Sequence, residues 1–377
     1  MDFSLNDDQV EIRALAERIL RDYCTQERLR IIDETGYFDS TLWAALAEAG
    51  LLGIATAEEH GGMGFGFDSL AVLLEQAGRA AAPVPLVPVL VTGLLALTRG
   101  APPSIAAAIA QDVVSGRSFV TAGLHEMGSD DPFHPETRAV SENGVWRLTG
   151  VKTAVPAARE ADRAWVTAAT PEGLGIFLIA FEADGFVVEE QRATTGEIFG
   201  RLSLQNVAAE PIALGDEAET FLARALDLSR AAYAALAVGV ADHMISLSAT
   251  YTTERVQFGK PIASFQAVSH ALADSVIALD CLRSVVVVSS LAAEGDGSGR
   301  HSSALTAKIW AADTLARISQ TAQQVHGGMG VDQNYSLWRY AQWARLIELT
   351  EGGAEASLDL LATQLFGAER VDENRSH

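Results

Sequence analysis

The chain has 377 residues, of which 49% are apolar and 20% are charged, so it is long and apolar enough to bury the cores of two or three domains. Its formal net charge of −22 argues against nucleic acid and anionic membrane surfaces as partners, because like charges repel. The two cysteines, Cys24 and Cys281, lie far apart and lack metal-ligand spacing, which predicts a reducing compartment and no metal site.

The predicted elements begin with helices. Up to about residue 115, apolar residues recur at helical spacing, as at Val10, Leu15 and Ile19. The acidic start of the chain has no apolar signal-peptide region, which predicts a cytoplasmic protein. Residues 80–98 are almost uncharged, but prolines interrupt their first half, so we predict a core helix there and no membrane span.

Strands replace helices in the middle of the chain. Short apolar runs at 164–168 and 175–181 are separated by Gly, Pro, Asn and Asp, a pattern typical of strands and turns. Asn143-Gly144 is a typical hairpin turn. We therefore predict a β-domain, a barrel or a sandwich, over residues 116–215.

Long helices return from about residue 216. We predict them over the ranges 222–253, 265–294, 302–325 and 355–366. Short connections between long helices imply antiparallel neighbours and hence a four-helix bundle. The predicted fold is mainly α with a central β-domain, and it consists of a helical domain (1–115), the β-domain (116–215) and the C-terminal bundle (216–377).

Two motifs near the end of the chain match what a dinucleotide pyrophosphate needs. Arg255 and Phe258 are three residues apart at a predicted helix end, and Gly259 and Pro261 stop that helix. Residues 324–330 read Gln-Val-His-Gly-Gly-Met-Gly, a cluster where a ligand can approach the backbone without meeting a Cβ. A bidentate cation, a stacking ring and free amide donors together indicate a flavoenzyme.

The chain resembles the acyl-CoA dehydrogenase family over essentially its whole length. Residues 255–266 are similar to the family's R-x-x-F-G-x-P-I…Q signature, residues 324–330 to its Q-x-x-G-G-x-G, and residues 51–62 to its N-terminal G-L-L-G…P-E-E-x-G-G. The resemblance implies FAD as cofactor, an acyl-CoA substrate in lipid metabolism, and electron-transfer flavoprotein as acceptor. It also implies a tetramer in which the following residues reach the FAD of a neighbouring subunit: Arg255, Phe258, Gln266, Gln324, Gly327 and Gly328.

The implied reaction removes hydrogens from Cα and Cβ of the thioester and needs a base beside the weakly acidic α-proton. Glu351 is the candidate, because Glu351-Gly352-Gly353 resembles the family's E-G-T segment. Gly352 leaves the adjacent backbone free to contact the thioester oxygen. The alternative is an ordinary solvated glutamate. Some relatives carry the base on the first bundle helix, but that position is Ser229 here, and serine cannot serve.

Two further residues are candidate ligands. Arg230 is a plausible partner of the active-site loop or of CoA, or else forms an ordinary helix salt bridge. Ser129 lies in the segment 124–130, which resembles the family's flavin-binding T-E-P-x-x-G-S-D but is shorter and lacks the threonine and proline.

The resemblance weakens at the chain's own flavin-binding segments. Where the family has W-I-T, with a tryptophan that packs on the flavin, this chain has Ala154-Val155-Pro156. A threonine and a glutamine that help hold FAD are replaced by Gly353 and Glu355. Two explanations stay open: a complete homotetrameric dehydrogenase, or a half-site or non-catalytic subunit of an α2β2 enzyme. An acyl-CoA oxidase or a nitroalkane-type oxidase is a further alternative on the same scaffold.

Overall fold

The computed structural model describes residues 4–129, 131–295 and 299–367, so Asp130 of the predicted flavin-binding segment lies outside the described residues. The chain forms two compact units. The first unit comprises Met1–Leu29, Phe67–Ala82 and Arg230–His377, and the second comprises Arg30–Gly66 and Pro83–Ser229.

Helices flank a central run of strands along the chain, as predicted. The first helices are α1 (Asp7–Tyr23), α2 (Gln26–Thr35), α3 (Ser40–Glu48), α4 (Phe67–Ala80), α5 (Ala96–Gly100), which continues a π-helical segment (Val87–Leu95), and α6 (Pro103–Val114). The strands are β1 (Val120–Gly123), β2 (Arg138–Glu142), β3 (Val145–Val155), β4 (Arg163–Thr170), β5 (Gly173–Ala180), β6 (Phe186–Arg192) and β7 (Ile198–Leu214). The last elements are α7 (Asp216–Glu254), a small hairpin of β8 (Val256–Gln257) and β9 (Lys260–Pro261), α8 (Gln266–Ala293), α9 (Gly299–His326), α10 (Leu337–Leu349) and α11 (Ala354–Phe366).

The second unit contains a β-barrel. Its strands pair in the order β1-β4-β2-β3-β7-β5, and β5 also pairs with β4, so the sheet closes on itself. The predicted hairpin turn joins β2 to β3, with Asn143 and Gly144 both at positive φ (+53° and +82°). Leu148, Val166 and Phe177 are fully buried in the barrel core. The central β-domain and its closed barrel are thus confirmed.

The first unit is a helical assembly in which α9 packs against α8, α10 and α11. Its α4 and α7 cross at very short range because both carry a glycine at the crossing. A Cβ on Gly239 of α7 would lie 1.9 Å from the carbonyl oxygen of Glu75, and one on Gly78 would lie 2.1 Å from that of Leu236. The small residues of this part of α7 therefore serve close helix packing.

This crossing predicts a large difference between two glycine substitutions. We expect Gly239→Ala to lower the free energy of unfolding by about 3 kcal/mol, because the new methyl meets backbone atoms that cannot turn away. Gly299→Ala, at the start of α9, places its methyl in open space and should change stability by about 0.5 kcal/mol or less. Urea unfolding of both variants checks the difference, and equal midpoints would contradict the close crossing.

Two helices have the length and hydropathy of membrane spans. The apolar window of α7 has a mean hydropathy of 1.3 and is 72% buried within the structure, as in the core helix of a globular protein. The window of α8 has a mean hydropathy of 1.9 and is only 33% buried. Most of this apolar window of α8 is therefore exposed among the residues that the structure describes.

Candidate active site

Glu351 lies in a tight turn that joins two helices of the first unit. Helix α10 ends at Leu349, and α11 begins at Ala354. Glu351 has a φ of +59° and Gly352 one of +87°, so two successive residues adopt left-handed backbone. This conformation costs a non-glycine residue about 1 kcal/mol, and such strained residues concentrate at functional sites. The half-buried Glu351 side chain is thus held by an unusual backbone rather than by a flexible loop.

A buried lysine supports the helix that leads into this turn. The side chain of Lys308, on α9, has no exposed surface, and its Nζ donates to the carbonyl oxygens of Ile347 (2.7 Å) and Glu348 (2.9 Å). These carbonyls belong to the last turn of α10, where helix carbonyls lack partners within the helix. Lys308 therefore caps the helix that carries Glu351.

The charges around Lys308 define an ionic cluster. Burial lowers the pKa of Lys308 to about 8, while the carboxylates of Glu351 and Glu348 act to raise it and the guanidinium of Arg230 to lower it. Arg230 is itself only 6% exposed. We call Arg230, Lys308, Glu348 and Glu351 the base cluster. The structure thus brings together two predicted residues, Glu351 and Arg230, with a lysine that the sequence analysis missed.

The alternative base position holds no carboxylate. Ser229 is fully buried in α7, and Asp227 on the same helix is 2% exposed.

The two motifs predicted for FAD meet on a different part of the same unit. The ring of Tyr251, one turn before Arg255, stacks on the ring of His326, with centroids 4.4 Å apart. His326 immediately precedes Gly327, so this stack holds the end of α7 beside the glycine cluster. We call the predicted residues exposed there the glycine surface: Arg255, Phe258, Gln266, Gln324, Gly327 and Gly328.

His326 is a packing residue. Its Nδ1 lies 2.8 Å from the Ala322 carbonyl oxygen, and its Nε2 lies 3.2 Å from the Tyr335 hydroxyl. Burial lowers the pKa of His326, and the Ala322 carbonyl only partly opposes this effect. The imidazole is therefore neutral at pH 7 and serves the Tyr251 stack.

The glycine surface has the properties that a flavin dinucleotide needs. Phe258 is 93% exposed and is held at a φ of +52°, so a large apolar ring faces outward. Nothing lies within 4 Å of the position that a Cβ would take on Gly259, Gly327 or Gly328, so the backbone there is open to a ligand. The exposed guanidinium of Arg255 adds the charge that a pyrophosphate requires. These residues fit FAD.

The predicted flavin-binding segments of the second unit differ from the pattern expected for the family. Ala154, in the segment 152–156 that was compared with the family's W-I-T, lies at a bulge of β3 with a φ of +51°. Its amide donates to Oε1 of Gln191 at 2.9 Å, so a side chain of β6 already occupies that donor. Ser129 lies in a short turn in which its amide donates to the Glu126 carbonyl oxygen at 3.4 Å. At positions 129 and 154 this unit therefore presents backbone groups and the Ser129 hydroxyl, and no aromatic ring.

Within residues 4–129, 131–295 and 299–367, no group of three or more His, Cys, Asp or Glu side chains could hold a metal ion.

Comparison with known proteins identifies the family. Residues 6–117 match the model of the acyl-CoA dehydrogenase N-terminal domain, and residues 220–366 match that of the C-terminal domain. The acyl-CoA dehydrogenase FadE27 of Mycobacterium tuberculosis is 32% identical, over 97% of this chain and 99% of the relative. The chain belongs to the acyl-CoA dehydrogenase family. It is therefore an oxidoreductase of that kind, and the family's cofactor is FAD.

Two solved structures are similar over nearly the whole chain. A variant of the Tcur3481-Tcur3483 steroid ACAD is 37% identical, with a TM-score of 0.90 and coverage of 99% of this chain and 100% of that one. A chain of the ChsE4-ChsE5 complex from Mycobacterium tuberculosis is 31% identical, with a TM-score of 0.90 and coverage of 97% and 99%. The mainly α fold with its central β-domain is thus confirmed for this acyl-CoA dehydrogenase.

Proposed function

We propose that this acyl-CoA dehydrogenase removes the α-proton of an acyl-CoA thioester with Glu351 as base. The observation that carries the proposal is the Glu351 turn. A half-buried carboxylate on left-handed backbone lies in one cluster with two buried cations, Lys308 and Arg230. A base needs this combination of fixed geometry and restricted access to water.

The chain's own residues account for the proton transfer. The Glu351 carboxylate takes the proton from Cα, a double bond forms between Cα and Cβ, and the hydrogen on Cβ leaves with its electron pair. FAD, when bound, supplies the acceptor of that hydride. Gly352 has no side chain, so the backbone beside it is free to donate a hydrogen bond to the thioester oxygen. Arg230 holds the Glu351 turn or the CoA moiety.

Because the chain is similar to a steroid ACAD, we propose that its acyl-CoA substrate carries a bulky acyl group that contains a ring system. Anaerobic titration with steroid-CoA and straight-chain acyl-CoA esters tests this choice. Bleaching of the flavin absorbance by the ring ester at lower concentration is the expected result. Equal bleaching by a short straight-chain ester would contradict it.

We propose that the glycine surface binds the FAD of a neighbouring subunit in a tetramer. The outward ring of Phe258 supports this placement, because an aromatic side chain 93% exposed on a monomer is typical of a surface that another molecule covers. The exposed apolar face of α8, which includes Val276, Ile277, Val288 and Leu291, supports an assembly of subunits.

Electron-transfer flavoprotein is the proposed electron acceptor. Slow reoxidation of the reduced enzyme by oxygen would distinguish a dehydrogenase from an oxidase.

Removing the charge of the glycine surface should release FAD. We expect Arg255→Ala to weaken FAD retention by about tenfold or more, because a charge-assisted contact to pyrophosphate contributes about 1.5–3 kcal/mol. The ratio of flavin to protein after gel filtration measures this effect. Arg317→Ala is the matched control, because Arg317 is an exposed arginine of α9 paired with Asp313. Equal flavin loss in both variants, or a lowered unfolding midpoint in Arg255→Ala alone, would count against the assignment.

A second candidate function is that of one subunit in an α2β2 dehydrogenase. Two observations favour it: the segment 152–156 contains no tryptophan that could pack on a flavin, and the similar chains include one from the ChsE4-ChsE5 complex. Purification of the chain alone tests this idea. One flavin per chain supports a homotetramer, whereas a colourless protein that gains flavin only with a co-expressed partner supports the heteromer.

A further inference from the structure

We propose that Lys308 is a positioning residue for the base: its buried ammonium binds the last carbonyls of α10 and so fixes the direction in which the chain enters Glu351. This inference rests on the proposed role of Glu351. It adds Lys308, from α9, to a candidate active site whose other residues lie in the Glu351 turn and on α7.

The geometry gives Lys308 one evident role. Its side chain is completely buried, and its Nζ donates to two successive carbonyls, those of Ile347 and Glu348. A helix C-terminus leaves its last carbonyls without partners, and a cation there also interacts favourably with the helix dipole. Glu348 and Glu351 are only three residues apart, so the hydrogen bonds of Lys308 determine where the turn begins.

The charge of Lys308 has a second consequence. Coulomb attraction acts between its ammonium and the Glu351 carboxylate, and between the ammonium and Glu348, while Arg230 opposes the same ammonium. Attraction to a cation fixed at the end of α10 draws both carboxylates toward that end. Lys308 thus acts on the position of the Glu351 turn through its charge as well as through its hydrogen bonds.

Another part of the same unit uses the same arrangement. Arg339, on α10, is 9% exposed, and its Nε and Nη2 donate to the Ala81 carbonyl oxygen just beyond the end of α4, at 3.2 and 3.1 Å. The Tyr340 hydroxyl donates to the Arg79 carbonyl oxygen at 2.7 Å. Buried polar side chains therefore fix two helix ends in this unit, and the end fixed by Lys308 leads to the candidate base.

Two substitutions separate the hydrogen bonds of Lys308 from its charge. Lys308→Gln keeps a donor of similar length without the charge, and Lys308→Met removes both. We expect both variants to lower the maximal rate of flavin reduction by acyl-CoA and to leave the acyl-CoA concentration for half-maximal rate little changed, because the base is displaced while the substrate-binding residues stay in place. The reduction rate at its optimum should fall by about tenfold in Lys308→Met and less in Lys308→Gln.

Amide hydrogen exchange gives a readout that does not depend on turnover. The amides of residues 346–353 should exchange faster in Lys308→Met than in Lys308→Gln, because only the glutamine can still bind an α10 carbonyl. Arg345→Gln is the matched control, because Arg345 is an exposed cation on the same turn of α10, paired with Glu348. Its charge is screened by solvent, so the reduction rate and the amide exchange of residues 346–353 should stay near their wild-type values.

The outcomes distinguish this inference from the proposed function. If Glu351→Gln is reduced by substrate at the wild-type rate, the assignment of the base fails and the role of Lys308 fails with it. If Glu351→Gln is inactive while both Lys308 variants keep the wild-type reduction rate and the wild-type amide exchange of residues 346–353, Glu351 stands as base and the inference about Lys308 is overturned. Should Lys308→Met not fold, the reduction rate and amide exchange of Lys308→Gln decide alone.

Discussion

Glu351→Gln is expected to keep its flavin and to lose flavin reduction by acyl-CoA by about a hundredfold or more, the usual contribution of a positioned general base. Glutamine has nearly the same size as glutamate, so the left-handed turn and its packing should persist. What disappears is the group that takes the α-proton. The loss should therefore be one of rate, with substrate binding little affected.

Anaerobic stopped-flow reduction measures this rate directly, and the visible spectrum before mixing confirms that flavin is present. Glu17→Gln is the matched control, because it makes the same chemical change at an exposed position of α1, outside the candidate site. We expect substrate to bleach the flavin of this control. Normal bleaching in Glu351→Gln would show that another group is the base.

The element types were predictable where apolar periodicity is simple. The helices predicted over 265–294 and 302–325 correspond to α8 (Gln266–Ala293) and α9 (Gly299–His326), and the strands predicted at 164–168 and 175–181 to β4 and β5. The first bundle helix was predicted to start at residue 222, but α7 begins at Asp216. Its acidic first turn, with Asp216, Glu217 and Glu219, interacts favourably with the helix dipole but carries no apolar stripe.

Helix α10 was missed for a related reason. Its buried face includes Arg339 and Tyr340, whose polar atoms satisfy the carbonyls of Ala81 and Arg79. A pattern analysis assigns such residues to the surface, because it cannot see partners that are remote in sequence. The same limit hid Lys308, although a lysine inside the apolar run 304–312 is itself a signal of a buried cation with a specific partner.

The candidate site was predictable in its residues but not in its support. Glu351, Arg255 and Phe258 stand in short motifs, and each motif requires a local backbone that its glycines reveal. What holds the motifs in place comes from elsewhere: the ring of Tyr251, stacked on His326, for the glycine surface, and Lys308 for the base. Contacts of this kind join residues far apart in sequence, so no local pattern encodes them.

The largest expected effect on stability concerns the other buried lysine, in the barrel. Lys152 of β3 has no exposed surface, and its Nζ contacts Oε1 of Glu126 (2.6 Å) and Oγ1 of Thr167 (2.9 Å). The Glu126 carboxylate also accepts from the amides of Glu136 and Thr137. This pair ties β3 to the segment that contains Ser129, so it holds together the two predicted flavin-binding segments of the second unit.

We expect Lys152→Met to lower the free energy of unfolding at pH 7 by about 3–5 kcal/mol, because it leaves the Glu126 carboxylate charged and buried without its cation. Lys260→Met is the control, since Lys260 is exposed and its loss should cost about 0.5 kcal/mol or less. Adding Glu126→Gln to Lys152→Met should recover part of the loss, because the unpaired charge is then gone. Urea unfolding of the single and double variants measures each of these changes in the free energy of unfolding.

The pH dependence of this loss identifies its cause. Burial alone would raise the pKa of Glu126, but hydrogen bonds from Lys152 and Thr137, the charge of Lys152 and the Glu136 amide together lower it below its ordinary value of 4.5. In the wild type, the stability from this carboxylate is therefore present above pH 4.5 and is lost as the pH falls through the lower, folded-state pKa.

In Lys152→Met the effect of burial on the pKa of Glu126 dominates, so Glu126 takes up a proton at higher pH and its unpaired charge disappears. The difference in unfolding free energy between wild type and Lys152→Met should consequently be large at pH 7 and should become smaller as the pH falls toward 4.5. A difference that stays constant over this range would mean that Lys152 stabilises the barrel by packing alone, and that the ion pair contributes little.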